Sequence, residues 1–250
     1  MMKQLSASEL LSIWEQGQER SHGARALLLL EATASEGQSP AKLTVGRRDA
    51  LLLSLRETLF GSQLVSVAAC PNCGELLELT FESSEIRAPA ESAQPETLTV
   101  KSGGYEARFR LPNSEDLMAI AACARSDAAS AAESLLARCL IQARRTGRNR
   151  SPVSIESTRD LPPALLAAIA EKMEQADPQA NVQLNLNCDS CAHRWPAIFD
   201  IASYLWSEIE DWARRILCEV HALASTYGWN EADILGMSAR RRQLYLEMIQ

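Results

Sequence analysis

Apolar residues fall at helical spacing through most of this chain, and alternate with polar ones only in short runs, the clearest beside two pairs of cysteines. Ser6-Ala7-Ser8-Glu9 has capping-box spacing and opens a helix carrying Leu10, Leu11, Ile13 and Trp14, expected to stop near Gly17. Ala24 to Leu30 is a continuous apolar helix, too short to cross a bilayer and so expected to pack against its neighbours. Thr44 to Asp49 leads into a third helix, Ala50 to Phe60, with Leu51, Leu52, Leu55 and Leu59 at helical spacing and Gly61 at the stop. Arg47, Arg48 and Arg56, on or beside it, are expected to form a solvated face, the alternative being a surface that docks an acidic partner.

Strand character begins at Leu64 to Ala69, which runs into Cys70-Pro71-Asn72-Cys73-Gly74; Leu76 to Phe81 leaves it with alternating polarity. Ala88 to Pro95 is proline-containing and polar, a linker. Thr97 to Val100 and Tyr105 to Leu111 are expected to pair as a hairpin turned by Ser102-Gly103-Gly104. That glycine pair lacks the lysine and following helix of a phosphate-binding loop. Asn113 or Ser114 caps the next helix, and two alanine-rich helices are expected over Leu117 to Arg125 and Ala128 to Arg145, then one over Ala164 to Ala176. Val182 to Leu186 alternates as a strand into Cys188-Asp189-Ser190-Cys191-Ala192-His193, and Trp195 to Ile201 leaves it as another. From Ile201 to Tyr227, Leu205, Ile209, Trp212, Ile216, Val220, Leu223 and Tyr227 line one face of a long helix; Asn230 and Ser238 cap two short ones. The fold class expected is α+β: mostly helical, with a zinc-ribbon-like pair of β-hairpins.

The cysteine pairs carry the chemistry. Each C-x-x-C turn presents two sulfurs to one ion, and four thiolates close a tetrahedral zinc shell, which assigns Cys70, Cys73, Cys188 and Cys191 as ligands of a structural Zn2+. A redox C-x-x-C is expected once, after a strand at a helix start; here both pairs sit between strands. Gly74 follows the first knuckle, but Ala192 stands at the equivalent place in the second. His193 is expected beside the ligands as a hydrogen-bond partner, and His221, near Cys218 on a helix, as a core histidine. Cys123, Cys139 and Cys218 read as buried free thiols.

Composition narrows the class. With 46% hydrophobic and 23% charged residues the chain is an ordinary globular one, and its formal charge of -7 argues against broad affinity for nucleic acid or anionic lipid. Neither a membrane span nor a signal-peptide core is legible, so a cytoplasmic location is expected. The most basic segment, Arg144 to Arg150, is placed at a helix end and has no interleaved aromatics for base stacking. Three histidines without a convergent Ser/His/Asp or Cys/His set give no catalytic site, so no enzyme is expected.

Several stretches in order, Ala24-Arg25-Ala26-Leu27-Leu28, Gly46-Arg47-Arg48-Asp49, the first knuckle, Phe109-Arg110-Leu111-Pro112-Asn113-Ser114-Glu115-Asp116 and Asp177-Pro178-Gln179-Ala180, resemble baseplate proteins of contractile phage tails and related contractile injection systems, often described as baseplate hub assembly chaperones. Tyr227-Gly228-Trp229 and Arg240-Arg241-Arg242-Gln243 complete the likeness. It implies a noncatalytic assembly or structural protein whose partners are other baseplate or tail proteins. The competing class is a zinc-ribbon adaptor for nucleic acid or the transcription machinery. The expected layout is a single zinc-clasped domain over residues 1–250: N-terminal helices (1–61), first knuckle and hairpins (62–111), inserted helices (112–180), second knuckle and C-terminal helices (181–250).

Overall fold

The computed structural model describes residues 3–34, 39–89, 95–123, 128–146, 152–153 and 161–249. The chain divides into two compact units, one made of residues 1–38 and 201–250, the other of residues 39–200.

In the first unit, α1 (Ala7–Gly17) starts at the expected capping box: Ser6 accepts from the Glu9 amide while the Glu9 carboxylate accepts from the Ser6 amide. α2 (His22–Thr33) packs against it and against α8 (Ile201–Tyr227), while α9 (Glu231–Leu235) and α10 (Ala239–Glu247) follow α8. Gly17 is glycine because Trp206 lies against it; a Cβ there would sit 2.0 Å from the indole. Arg25 spans the same place, donating to the Gly17 carbonyl at 2.9 Å and lying over the Trp206 ring. The α8 stripe behaves as its spacing predicts, with Leu205, Ile209, Ile216, Val220 and Leu223 buried. Cys218 and His221 lie off that stripe and are exposed, against the expectation that both were buried. Their three-residue spacing puts them on one helical face, and it is the wet one.

In the second unit, α3 is Val45–Phe60, five residues longer at its start than expected; Thr44 caps it by accepting from the Arg47 amide. The early start changes the meaning of its charges. Arg48 and Arg56 are buried, not solvated: Arg48 donates to Asp49 at 2.7 Å and Arg56 to the Gly61 carbonyl at 2.9 Å, and only Arg47 of the three is exposed. Burial pushes the Asp49 carboxyl up although Arg48 opposes it. Two antiparallel hairpins follow from the cysteine-flanking strands: β1 (Gln63–Ala69) with β2 (Leu76–Glu82), and later β7 (Gln183–Asn187) with β8 (Arg194–Ile198).

Between them lie α4 (Ser83–Ile86), β3 (Leu98–Ser102), β4 (Tyr105–Phe109), α5 (Ser114–Cys123), α6 (Ala128–Cys139), β5 (Leu140–Arg145), β6 (Pro152–Val153) and α7 (Pro163–Ala176). β3 to β6 form one sheet in sequence order, and α7 packs on it around Phe109, Leu140, Ala143, Leu165 and Ile169. Gly103 and Gly104, at φ 57° and 78°, make the two-residue turn between β3 and β4. β5 corrects the expectation of a helix from Ala128 to Arg145. Leu140 pairs with Phe109 and Ala143 with Ala107, and a register shift leaves Ile141 as an extra residue. The bulge places Leu140 and Ala143 on one face three residues apart, a spacing that mimics a helix. Arg144 and Arg145 are therefore strand residues, engaged with Glu106 and Tyr105. Arg148 and Arg150, the Cys123 side chain and the middle of the linker expected at Ala88 to Pro95 lie outside what is described.

Asn113 is the cap of α5, in a reciprocal box with Asp116: each backbone amide donates to the other's side chain, at 3.1 and 3.0 Å. Asp116, 1% exposed in its side chain, also binds Arg110 and Arg138. Burial alone would raise its pKa, yet the Arg110, Asn113 and Arg138 hydrogen bonds hold it below the usual carboxylate range.

Candidate metal centre

The two knuckles are built alike from the backbone outward. Each hairpin closes on a pair flanking the cysteine turn, Ala69↔Leu76 in one and Asn187↔Arg194 in the other. The Cys70 amide donates to the Glu75 carbonyl at 2.8 Å and the Cys188 amide to the His193 carbonyl at 2.9 Å. One turn in, the Gly74 amide donates to the Cys70 carbonyl at 2.9 Å and the Ala192 amide to the Cys188 carbonyl at 2.8 Å. Gly74 takes φ 78° and Ala192 φ 55°, the one left-handed residue other than glycine among those described. The second knuckle thus adopts the glycine conformation without a glycine.

This geometry brings the sulfurs together. Cys70 Sγ lies 3.7 Å from Cys191 Sγ, and Cys73 Sγ lies 3.6 Å from Cys188 Sγ. All four sulfurs fall within 4.8 Å of one another. A regular tetrahedron with Zn–S bonds of about 2.3 Å has an edge of about 3.8 Å, so the cluster has the size such an ion requires. The sulfurs of Cys70 and Cys188 belong to buried residues, whereas Cys73 is exposed and Cys191 intermediate. The donor set fits zinc: soft, all sulfur, two ligands from each of two turns, with no fifth group needed.

The sulfurs of the cluster perturb one another strongly. Cys191 is held low, at about 6, first by a hydrogen bond from the Asn72 side chain, then by the His193 amide, then by neighbouring thiols. Cys73 is pushed up to about 12: the Glu75 amide works against this, but the sulfurs of Cys191, Cys188 and Cys70 outweigh it. Four crowded thiols do not share several negative charges unless a cation is among them. The Glu75 and His193 amides occupy matching places in the two turns, each donating to the sulfur two residues back. His193 therefore reaches the sulfurs through its backbone. Its ring stacks on Trp195 at 5.8 Å, and no hydrogen bond among the described residues joins the imidazole to a thiolate.

Away from the cluster, Cys139 is fully buried as expected, and burial pushes its thiol up to about 11. No described helix is long and apolar enough to cross a membrane.

One feature of this unit gave only indirect signals in the sequence. A cleft of about 670 Å³ is bounded by the start of α3, the segment after β4 and the turn at 177–179. Three of the stretches singled out above, at 46–49, 109–116 and 177–180, meet at it, although nothing in their spacing announces a site.

The model of one protein family, described as T4 bacteriophage base plate protein, matches residues 9–206. No curated protein matches the chain, and no solved structure does.

Proposed function

The chain belongs to the T4 bacteriophage base plate protein family, and on that premise we propose that it is a non-enzymatic assembly or structural protein that works by binding other baseplate or tail proteins. The observation carrying this reading is the extent of the family match, which runs from α1 into α8. We further propose that Cys70, Cys73, Cys188 and Cys191 hold one structural Zn2+, supported by the four sulfurs lying within 4.8 Å. In this role the ion clasps the hairpin at 63–82 to the one at 183–198, which the chain separates by the whole sheet and its helices.

The hub-chaperone role is the finer part of this reading and is tested by co-expression with the other baseplate proteins of the same particle. Cofractionation with them, together with about one zinc per chain in protein never exposed to chelator, is the expected outcome. Zinc-free protein would remove the metal assignment, and association with none of the tail proteins would remove the assembly role. Salt-sensitive retention on DNA or RNA would point instead to the adaptor class.

A further inference from the structure

We propose that the outer face of the β1–β2 hairpin is a docking surface for an amphipathic helix of a partner protein, one whose aliphatic stripe is flanked by lysine or arginine. This rests on the reading of the chain as a baseplate protein that acts by binding its neighbours, but not on the metal. Successive strand residues point to opposite faces, and burial follows that alternation in both strands. Leu64, Leu77, Leu79 and Phe81 turn inward, buried or half-buried, and Phe81 meets Phe199. Val65, Val67 and Ala69 point the other way, opposite Thr80, Glu78 and Leu76, and all six are exposed. Val65, Val67 and Leu76 each leave more than half of their surface in solvent. Joined through Ala69, which pairs with Leu76, they make one continuous apolar strip that nothing covers among the described residues.

Charge says what can cover it. From Gly61 to Ile86 the chain has no Lys, Arg or His, but it has Glu75, Glu78, Glu82 and Glu85. The flanking cations are engaged elsewhere: Arg56 donates to the Gly61 carbonyl, and Arg87 pairs with Glu57 at 2.9 Å. Glu78 and Glu82 stand along the outer face of β2, and neither is in an ion pair among the described residues. The face is therefore an apolar row on β1 beside an acidic row on β2, with no cation of its own. Its sign turns away nucleic acid and anionic lipid. A second copy fits no better, because two such faces laid together would bury four carboxylates, Glu78 and Glu82 of each, without a counter-charge. A partner bringing both aliphatic and basic side chains satisfies the two rows at once.

Spacing favours a helix. A sheet face offers side chains rather than backbone groups, and a helix is the element that ordinarily covers one. Val65, Val67 and Ala69 recur about every 6.6 Å along β1, close to the rise of about 6 Å between helix residues four apart. Glu78 and Glu82 are about 13 Å apart along β2, close to the rise of about 12 Å over eight helix residues. A helix about 10 Å across, lying along the ribbon, spans both strands.

The test uses the full chain and a fluorescein-labelled helical peptide of about 18 residues, with leucine at every third and fourth position, lysine along one flank and alanine elsewhere. The control carries glutamate in place of lysine. Two variants separate the rows: Val65→Thr/Val67→Thr removes apolar surface while keeping β-branched residues in the strand, and Glu78→Lys reverses the acidic row. All three positions are exposed, so the fold is retained; unchanged circular dichroism checks this. Anisotropy should show preference for the lysine peptide, reduced by salt between about 50 and about 200 mM. Val65→Thr/Val67→Thr should bind it about tenfold more weakly with the preference intact, and Glu78→Lys about tenfold more weakly with the preference lost. No preference in the wild type, or equal binding by both variants, overturns the proposal. Self-association of the wild type in sedimentation velocity that Val65→Thr/Val67→Thr abolishes overturns it in favour of a second copy. Cofractionation with co-expressed baseplate proteins is scored separately. If the wild type and Val65→Thr/Val67→Thr associate with them equally, this face is not where they dock and the baseplate reading stands. If the wild type associates with none, that reading falls and takes the proposal with it.

Discussion

Ala192→Gly should strengthen the second knuckle, and Gly74→Ala should weaken the first by a similar amount. Both positions are left-handed, at φ 55° and 78°. For a residue with a Cβ that conformation costs about 1–2 kcal/mol, and replacing Ala by Gly gives back about 0.4–1 kcal/mol through the freer unfolded chain. The net is about 1 kcal/mol in each direction. Side-chain packing does not blur the comparison, since Ala192 is exposed and a Cβ added at Gly74 would have nothing within 4 Å. Urea unfolding of the metal-loaded protein measures the change in stability. If the knuckle must adopt this conformation to bind metal, competition against a chromophoric chelator should show about fivefold tighter zinc for Ala192→Gly and about fivefold weaker for Gly74→Ala. A loss of stability in Ala192→Gly, or none in Gly74→Ala, would refute the reasoning, because each variant changes only backbone freedom at a solvent-facing turn.

Three further outcomes are expected. Cys73→Ser and Cys188→Ser should each abolish stoichiometric zinc and lower stability equally, although Cys73 is exposed and Cys188 is buried; metal analysis with denaturation checks this, and strongly unequal effects would mean the two residues do not serve one ion. Asp116→Asn should cost about 2–3 kcal/mol, less than at a fully buried pair because Arg110 and Arg138 keep 34% and 44% of their side-chain surface. Since Asp116 titrates low, its contribution is complete above about pH 4 and is lost as pH falls through its folded pKa, so the variant should show a flatter acid limb in stability against pH. Gly46→Ala should lose about 1–3 kcal/mol in spite of alanine's better helix propensity, because its Cβ would meet Asp177 Oδ1 at 2.1 Å and the Ala180 amide nitrogen at 2.9 Å; a more stable variant in urea would show that the turn at 178–180 gives way.

The convergence of the four cysteines was legible because paired C-x-x-C turns leave a local signature, two sulfurs per turn, that survives any separation in sequence. The helix caps at Ser6, Asn113, Asn230 and Ser238 were legible for the same reason: each is settled within four residues. What escaped depends on pairing across distance. β5 looked helical because a bulge at Ile141 gave its core residues three-residue spacing, and only its pairing with β4 reveals the strand. Arg48 and Arg56 looked solvated because charge is a prior for exposure, and their burial is set by Asp49, Ser114 and the Gly61 carbonyl. Cys218 and His221 depart from expectation for a plainer reason. The buried stripe of α8 passes them by, which the same 3.6-residue period would have indicated.

The hairpins themselves indicate what the proposed metal would add and where its influence should end. A two-stranded ribbon is marginal alone, and these two have little core to share. Leu64 on β1 and Leu186 on β7 are buried, but Val65 and Val67 on β1 are 59% and 57% exposed, and Ile198 on β8 is 77% exposed. Across the inner faces, Leu79, Phe81, Trp195 and Phe199 are only partly buried, with Phe81 and Phe199 meeting edge-on at 5.6 Å. The sheet under α7 is different: Phe109 and Leu165 are fully buried there. If the four cysteines hold a metal as proposed, chelating it should strip hydrogen-exchange protection from β1, β2, β7 and β8 while β4 and α7 keep theirs, because the second group rests on apolar burial and the first would rest on sulfur–metal bonds. Protection lost equally from both groups would mean that the clasp carries the whole unit, and protection lost from neither would mean that the hairpins hold together without it.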